Sequence, residues 1–350
     1  MKKTFSLGKF RLDPFLIGLV LVIVIAYFFP FEKSALKELP INGVLSLGIS
    51  LIFFFYGLKL SPEKLTAGLK NWKLHILIQL STFLLFPLLV LIFYPFIHNE
   101  QQELIWMGIF FLAVLPSTVS SSVVMVSMAK GNIPASIFNA SISGLIGIFI
   151  TPLWLGLIIK SKLEGFDFSE LYLQLALEIV LPVILGILLQ RWLGKYGQRF
   201  SKQLATFDKS IILLIIYNSF SHSFATNLFV DMAWPDIAVI FIAVLALFTV
   251  VYQITGLSSK WLKFNQEDQI TAQFCGTKKS LVHGTVFFNL IFVGLPGAGM
   301  ILIPLMLFHS IQILLISFKA NNLARDHSRA KVKNTYPSDN QHIDTGLLNT

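Results

Sequence analysis

Phe274-Cys275-Gly276-Thr277-Lys278-Lys279-Ser280-Leu281-Val282-His283-Gly284 puts two adjacent lysines near the middle of an apolar segment running from about Ile270 to Leu295. The segment is long enough to cross a bilayer. A lysine at that depth costs on the order of 3 kcal/mol on insertion scales. The glycine before the pair and the hydroxyl residues on either side predict a helix that is interrupted here. Leu115-Pro116-Ser117-Thr118-Val119-Ser120-Ser121-Ser122, within Ile105–Met128, has the same character, because its proline and run of hydroxyls loosen a helix at mid-membrane depth. Two broken spans in corresponding places of a polytopic chain are the best sequence pointer to a transporter's binding site. The rest of the chain reads as scaffold for these two breaks.

Of the 350 residues 55% are hydrophobic and 13% charged, with 33 Phe and a mean hydropathy of +0.74. That profile belongs to a polytopic membrane protein, since a soluble core of this length would carry far more charge. The single cysteine, Cys275, lies in an apolar run and excludes an intrachain disulfide. Lys2, Lys3, Lys9 and Arg11 before an apolar stretch resemble a signal peptide, but Phe28-Phe29-Pro30-Phe31 is no small-x-small cleavage site. The stretch is therefore expected to be the first transmembrane helix.

Apolar runs fall at about 14–29, 41–58, 74–97, 104–128, 133–159, 171–190, 210–225, 236–259, 268–294 and 298–318. Placed with the N-terminus inside, 21 of the 27 Lys and Arg residues lie on inner segments and four (Lys33, Lys37, Lys160, Lys162) on outer loops; the other two are Lys278 and Lys279. This bias predicts ten spans in an inner (plasma) membrane with both termini cytoplasmic. It also assigns the net charge of +9 to membrane topology, so no nucleic-acid partner is expected. Ser61-Pro62-Glu63 is a good helix start and predicts a short interfacial helix. Five spans per half force the halves into opposite orientations, the condition for an inverted repeat. The expected division is a first repeat over 1–160, a second over 161–319, and a polar, disordered cytoplasmic tail over 320–350.

Half-helices starting near Ser120 and Ser280 would each aim a positive N-terminus at the midplane. With Lys278 and Lys279 at the same level, they favour an anionic ligand or a carboxylate partner. Two readings of the lysines stand: functional groups at the site, or donors to backbone carbonyls that merely fix the crossing. His283, one turn on, reads as a satisfied core histidine or as a titrating group. A serine–lysine dyad from Ser120, Ser121 or Ser122 with Lys278 lacks any oxyanion element, so the chain is not read as an enzyme.

Tyr56-Gly57-Leu58-Lys59-Leu60, Trp72-Lys73-Leu74-His75, Lys130-Gly131-Asn132 leading to Ile137-Phe138-Asn139, and the 274–280 string together resemble the bile acid:sodium symporter family. More narrowly, they resemble its YfeH-type bacterial branch, which groups with the seventh member of human solute carrier family 10. The resemblance covers about 10–320. It implies an all-α protein of ten transmembrane helices in two inverted five-helix repeats, with spans 4 and 9 broken and crossing. Spans 1, 2, 6 and 7 would form a panel domain, spans 3–5 and 8–10 a core domain. It also implies sodium-coupled uptake of organic anions by a rocking or elevator-like motion. By position, the family's serine–asparagine pair resembles Ser121-Ser122, and its span-five hydroxyl ligand resembles Ser136, with Asn139 close by. The family's sodium-binding glutamate falls on Phe274 and its glutamine on Lys278, so both of those oxygen ligands are missing.

The expectation is therefore a secondary transporter of a small organic anion by alternating access, not using the family's usual sodium sites. Substrate is assigned to Thr118, Ser120, Ser121, Ser122, Asn139, Thr277, Lys278 and Ser280. Ion coupling, or replacement of the cation by an ammonium, is assigned to Lys278, Lys279, Ser136 and His283, with Lys278 favoured by the alignment. No cofactor or metal is expected, the coupling ion being H⁺ or Na⁺; the partners are the substrate and the lipid bilayer. The rival readings are a sodium-coupled symporter with relocated ion sites, and a membrane regulator or scaffold of ion flux that carries no solute.

Overall fold

The computed structural model describes residues 14–30, 41–60, 71–118, 120–159, 173, 176–225, 234–292 and 298–335. Every regular element among them is helical. In chain order these are α1 (Pro14–Phe28), α2 (Ile41–Lys59), α3 (Trp72–Leu80), α4 (Phe86–Leu91), α5 (Glu100–Val114), α6 (Ser120–Met128), α7 (Ile133–Ile159), α8 (Leu181–Arg199), α9 (Ser201–Ala225), α10 (Trp234–Trp261), α11 (Gln266–Gly276), α12 (Leu281–Ile291) and α13 (Ala298–Thr335). Each expected apolar run contains helix. Among the described residues, five helical stretches are long and apolar enough to cross a membrane, including Trp72–Phe96, Ile133–Ile158 and Trp234–Trp261. Large apolar side chains such as Leu21, Leu188 and Ile242 are exposed, as lipid-facing positions require.

Two π-helical turns, Ser81–Leu85 and Ala176–Val180, lead into α4 and α8. Each ends one residue before an X-Pro pair, Phe86-Pro87 or Leu181-Pro182. The proline has no N–H to continue the ladder, and the helix widens to pass it. Asparagines start several helices: Asn71 accepts from Leu74 N, Asn99 from Gln102 N and Asn265 from Asp268 N.

α1, α2, α8 and α9 pack on one another, while α3–α7 and α10–α13 form a second set, joined to the first through α9 against α12 and α13. The α2–α8 contact is backbone on backbone. A Cβ at Gly57 would strike the Val183 carbonyl oxygen, and one at Gly186 that of Phe54. In the second set, Asp268 accepts from Asn71 Nδ2 at 2.7 Å and from Asn132 Nδ2 at 2.8 Å. One carboxylate thereby ties α3, α11 and the Lys130-Gly131-Asn132 turn, whose Lys130 sits at φ 57°.

The tail is a correction. Beyond Lys319 the polar composition predicts an unstructured chain, yet α13 runs on to Thr335. An existing helix extends without a new nucleus, so modest propensity suffices there. Residues 336–350, the segment after Ser61, and the loops holding Lys33, Lys37, Lys160 and Lys162 lie outside the described residues.

Candidate functional site

α5 stops at Val114 because Pro116 removes a donor and bends the chain; Leu115 is already extended at φ −73°, ψ 152°. α11 stops at Gly276, and α12 restarts after Ser280, whose hydroxyl caps it by accepting from His283 N at 3.2 Å. The two interruptions meet: Ser280 N donates to the Pro116 carbonyl at 2.8 Å. Ser117 Oγ donates to the Cys275 carbonyl at 2.8 Å, and Ser117 N to Ser143 Oγ at 2.9 Å.

A broken helix leaves orphan carbonyls that must be satisfied when buried. Here four successive ones, 113 to 116, each have a donor. Lys279 Nζ serves Ala113 at 2.6 Å and Leu115 at 2.8 Å, Thr151 Oγ1 serves Val114 at 2.7 Å, and Ser280 N serves Pro116. The third bond of the Lys279 ammonium goes to the Thr82 carbonyl at 2.7 Å. That carbonyl is orphaned because Phe86 N turns to Ser81 across the π turn and Pro87 has no N–H. The Phe86 ring lies 4.2 Å from the same ammonium. The Gln312 side chain closes the accounting, accepting from Lys279 N and donating to Lys279 O, both at 2.8 Å.

The alignment favours Lys278 for the place of a bound cation, but the ammonium in the carbonyl cage belongs to Lys279. Lys278 is equally buried, and among the described residues its Nζ makes one long contact of 3.4 Å, to Ser121 Oγ. Ser121 Oγ pairs with Thr118 Oγ1 at 2.7 Å, and Thr118 with Ser122 Oγ at 3.1 Å. Phe274, at the glutamate position, is fully buried among apolar neighbours.

A cavity of about 490 Å³ opens against this crossing. Thr118, Ser121, Ser280 and His283 line it, together with Phe53, Tyr56 and Ser141 on its flank and the Lys59–Asp208 ion pair (3.5 Å) farther along. Most of the remaining wall is aliphatic or aromatic. The other expected site residues stand back from it. Thr277 is fully buried and donates to Gln273 O at 2.6 Å. Asn139 is held by His75 Nδ1 at 2.8 Å and by Gln79 Nε2 at 3.2 Å, and Ser136 Oγ pairs with Cys275 Sγ at 3.3 Å. The Ser120 side chain lies outside the described residues. Tyr56, Lys59 and Asp208 are wall residues that the sequence reading did not assign to a site. Lys59 and Asp208 are 149 positions apart, and no local pattern couples them.

The model of the SBF-like CPA transporter family matches residues 13–325. The chain belongs to that family. It is 34% identical over 320 residues to an uncharacterized protein of Pseudomonas aeruginosa, covering 91% of this chain and 95% of that one. It is 33% identical to the putative symporter YfeH of Escherichia coli, covering 94% and 98%. Sodium/bile acid cotransporter 7-B of Xenopus laevis is 31% identical over 313 residues, covering 88% and 91%. Membership of this family makes the chain a multi-pass membrane transporter and not an enzyme, and implies a small-molecule substrate.

Proposed function

We propose that the protein is a secondary transporter that carries a small organic anion by alternating access through the cavity beside the crossed breaks. The observation that carries this reading is the Ser280 N to Pro116 O bond, which holds two helix interruptions together where Thr118, Ser121 and the first turn of α12 face one cavity. A transporter needs polar backbone at that depth, and the positive end of α12 favours negative charge. The two packing sets support a panel of spans 1, 2, 6 and 7 that moves against a core of spans 3–5 and 8–10. The ten-span, inverted-repeat topology, with both termini cytoplasmic in the inner membrane, belongs to the same proposal.

Coupling does not use the sodium sites of the wider family. An ammonium tethered to three carbonyls supplies at the crossing the positive charge that a bound cation would supply. Its geometry is all-oxygen, as a hard cation's would be. A proton remains the candidate coupling ion.

The test compares uptake of anionic metabolites by cells lacking the protein and cells overproducing it. Accumulation or depletion of a defined anion should follow the protein level. Identical anion profiles, together with a Ser121 that no aqueous reagent reaches, would overturn the transporter mechanism.

A further inference from the structure

The His283 imidazole is 5% exposed and lies on the cavity wall, with the ring edges of Phe53 and Tyr56 at centroid distances of 5.5 and 5.7 Å. Its Nδ1 is 2.9 Å from Ser280 Oγ. That hydroxyl already accepts from His283 N, and among the described residues its own proton has no other acceptor than Nδ1. A neutral imidazole that accepts at Nδ1 carries its proton on Nε2. Among the described residues Nε2 is buried and has no hydrogen-bond partner. The cost of leaving such a donor unpaired is about 1–3 kcal/mol. The Tyr56 hydroxyl is committed to the Ser141 carbonyl. Gly144 packs against this edge of the ring, where a Cβ would lie 3.1 Å from Nε2 and run into the Tyr56 hydroxyl.

We propose that His283 is a direct ligand of the transported molecule, its Nε2–H donating to an acceptor-only headgroup such as a carboxylate. The inference rests on the anion reading of the cavity and extends it to a named donor. The first turn of α12 contributes Leu281 and Val282 to the same wall, so the N–H and the positive helix end act on one headgroup. A neutral donor there accepts an anion without an added buried charge. It rejects an ammonium of the same shape, which presents hydrogen to hydrogen.

The experiment uses the purified full-length protein in lipid nanodiscs and a matched probe set: 1-naphthoate, cyclohexanecarboxylate, heptanoate and 1-naphthylmethylammonium. Thermal stabilisation and calorimetry read binding, and side-chain ¹⁵N spectra of histidine-labelled protein read the tautomer, with His283→Gln locating the resonance. The expected result is an Nε2–H tautomer and binding of at least one carboxylate but not of the ammonium. His283→Gln, which keeps an N–H donor, should retain that binding, and His283→Phe should weaken it about tenfold, the value of one hydrogen bond. An Nδ1–H tautomer overturns the proposal, as does a His283→Phe protein that binds the carboxylate as well as wild type; in either case the anion reading survives. Binding of the ammonium probe in preference to every carboxylate, or of no carboxylate at all, removes the anion reading together with the proposal.

Discussion

Lys279 Nζ lies 2.8 Å from the Leu115 carbonyl oxygen, so the side chain that opens one helix break closes the other. With the bonds to Ala113 and Thr82, one ammonium joins α5, the π turn before α4, and the loop between α11 and α12. Thr82, Ala113, Leu115 and Lys279 are fully buried, so the cavity does not offer these carbonyls a replacement donor, and the fold depends on the bond set.

Lys279→Met should be strongly destabilising, because it keeps the stem and deletes every donor. Three buried acceptors left unpaired cost about 1–3 kcal/mol each, partly relieved by relaxation. Thermal unfolding in detergent should show a large fall in melting temperature or failure to recover folded protein. Lys278→Met, which removes one long contact to Ser121, should cost much less. Equal melting temperatures for Lys279→Met and wild type would sink the cage as a stabilising element.

Sodium should not stabilise the wild-type protein specifically. Melting curves in NaCl, KCl and N-methylglucamine chloride at equal ionic strength should superimpose. Once a substrate is known, its uptake should persist when choline replaces sodium at constant pH. A sodium-specific rise in melting temperature, or uptake that falls to background in choline, would place an ion site elsewhere in the molecule.

Accessibility should divide the residues around the breaks. Ser121 lines the cavity, whereas Thr277 and Cys275 are sealed. Ser121→Cys should react with a small membrane-impermeant methanethiosulfonate, while Thr277→Cys and the native Cys275 stay unlabelled. Labelling at Thr277→Cys with Ser121→Cys silent would reverse the assignment of the wall.

The α2–α8 contact should tolerate no added methyl group. Gly186→Ala and Gly57→Ala each force a Cβ onto a carbonyl of the facing helix. Overpacking of this kind costs about 1–3 kcal/mol and occasionally more. Gly43→Ala, on the same α2 but with nothing within 4 Å, should be neutral or gain a few tenths of a kcal/mol in helix propensity. Indistinguishable stabilities for Gly186→Ala and Gly43→Ala would contradict the close approach.

Much of the architecture was written in local chemistry. Pro116 and the Gly276 to Ser280 string interrupt their own helices, so both breaks could be marked without knowing what lies beside them. Apolar runs declare themselves because a bilayer imposes a length, and the placement of Lys and Arg adds an expected orientation. The roles of the two lysines were not local. The carbonyls that hold Lys279 belong to residues 164, 166 and 197 positions away, and Thr82 is available only because a π turn and Pro87 leave it unpaired. Position in the family alignment favours Lys278, whereas the carbonyls hold Lys279, because alignment compares residue types and not which way an irregular backbone turns each side chain. The cavity wall was equally hidden: Tyr56, Lys59 and Asp208 reach it by the packing of α2 against α9, and only the fold shows that, among the described residues, His283 Nδ1 meets Ser280 while Nε2 is left without a partner. Hydropathy and helix-breaking residues act through a chain's own neighbours and survive in the sequence; the pairing of buried donors and acceptors is a property of distant segments brought together, and tertiary structure alone decides it.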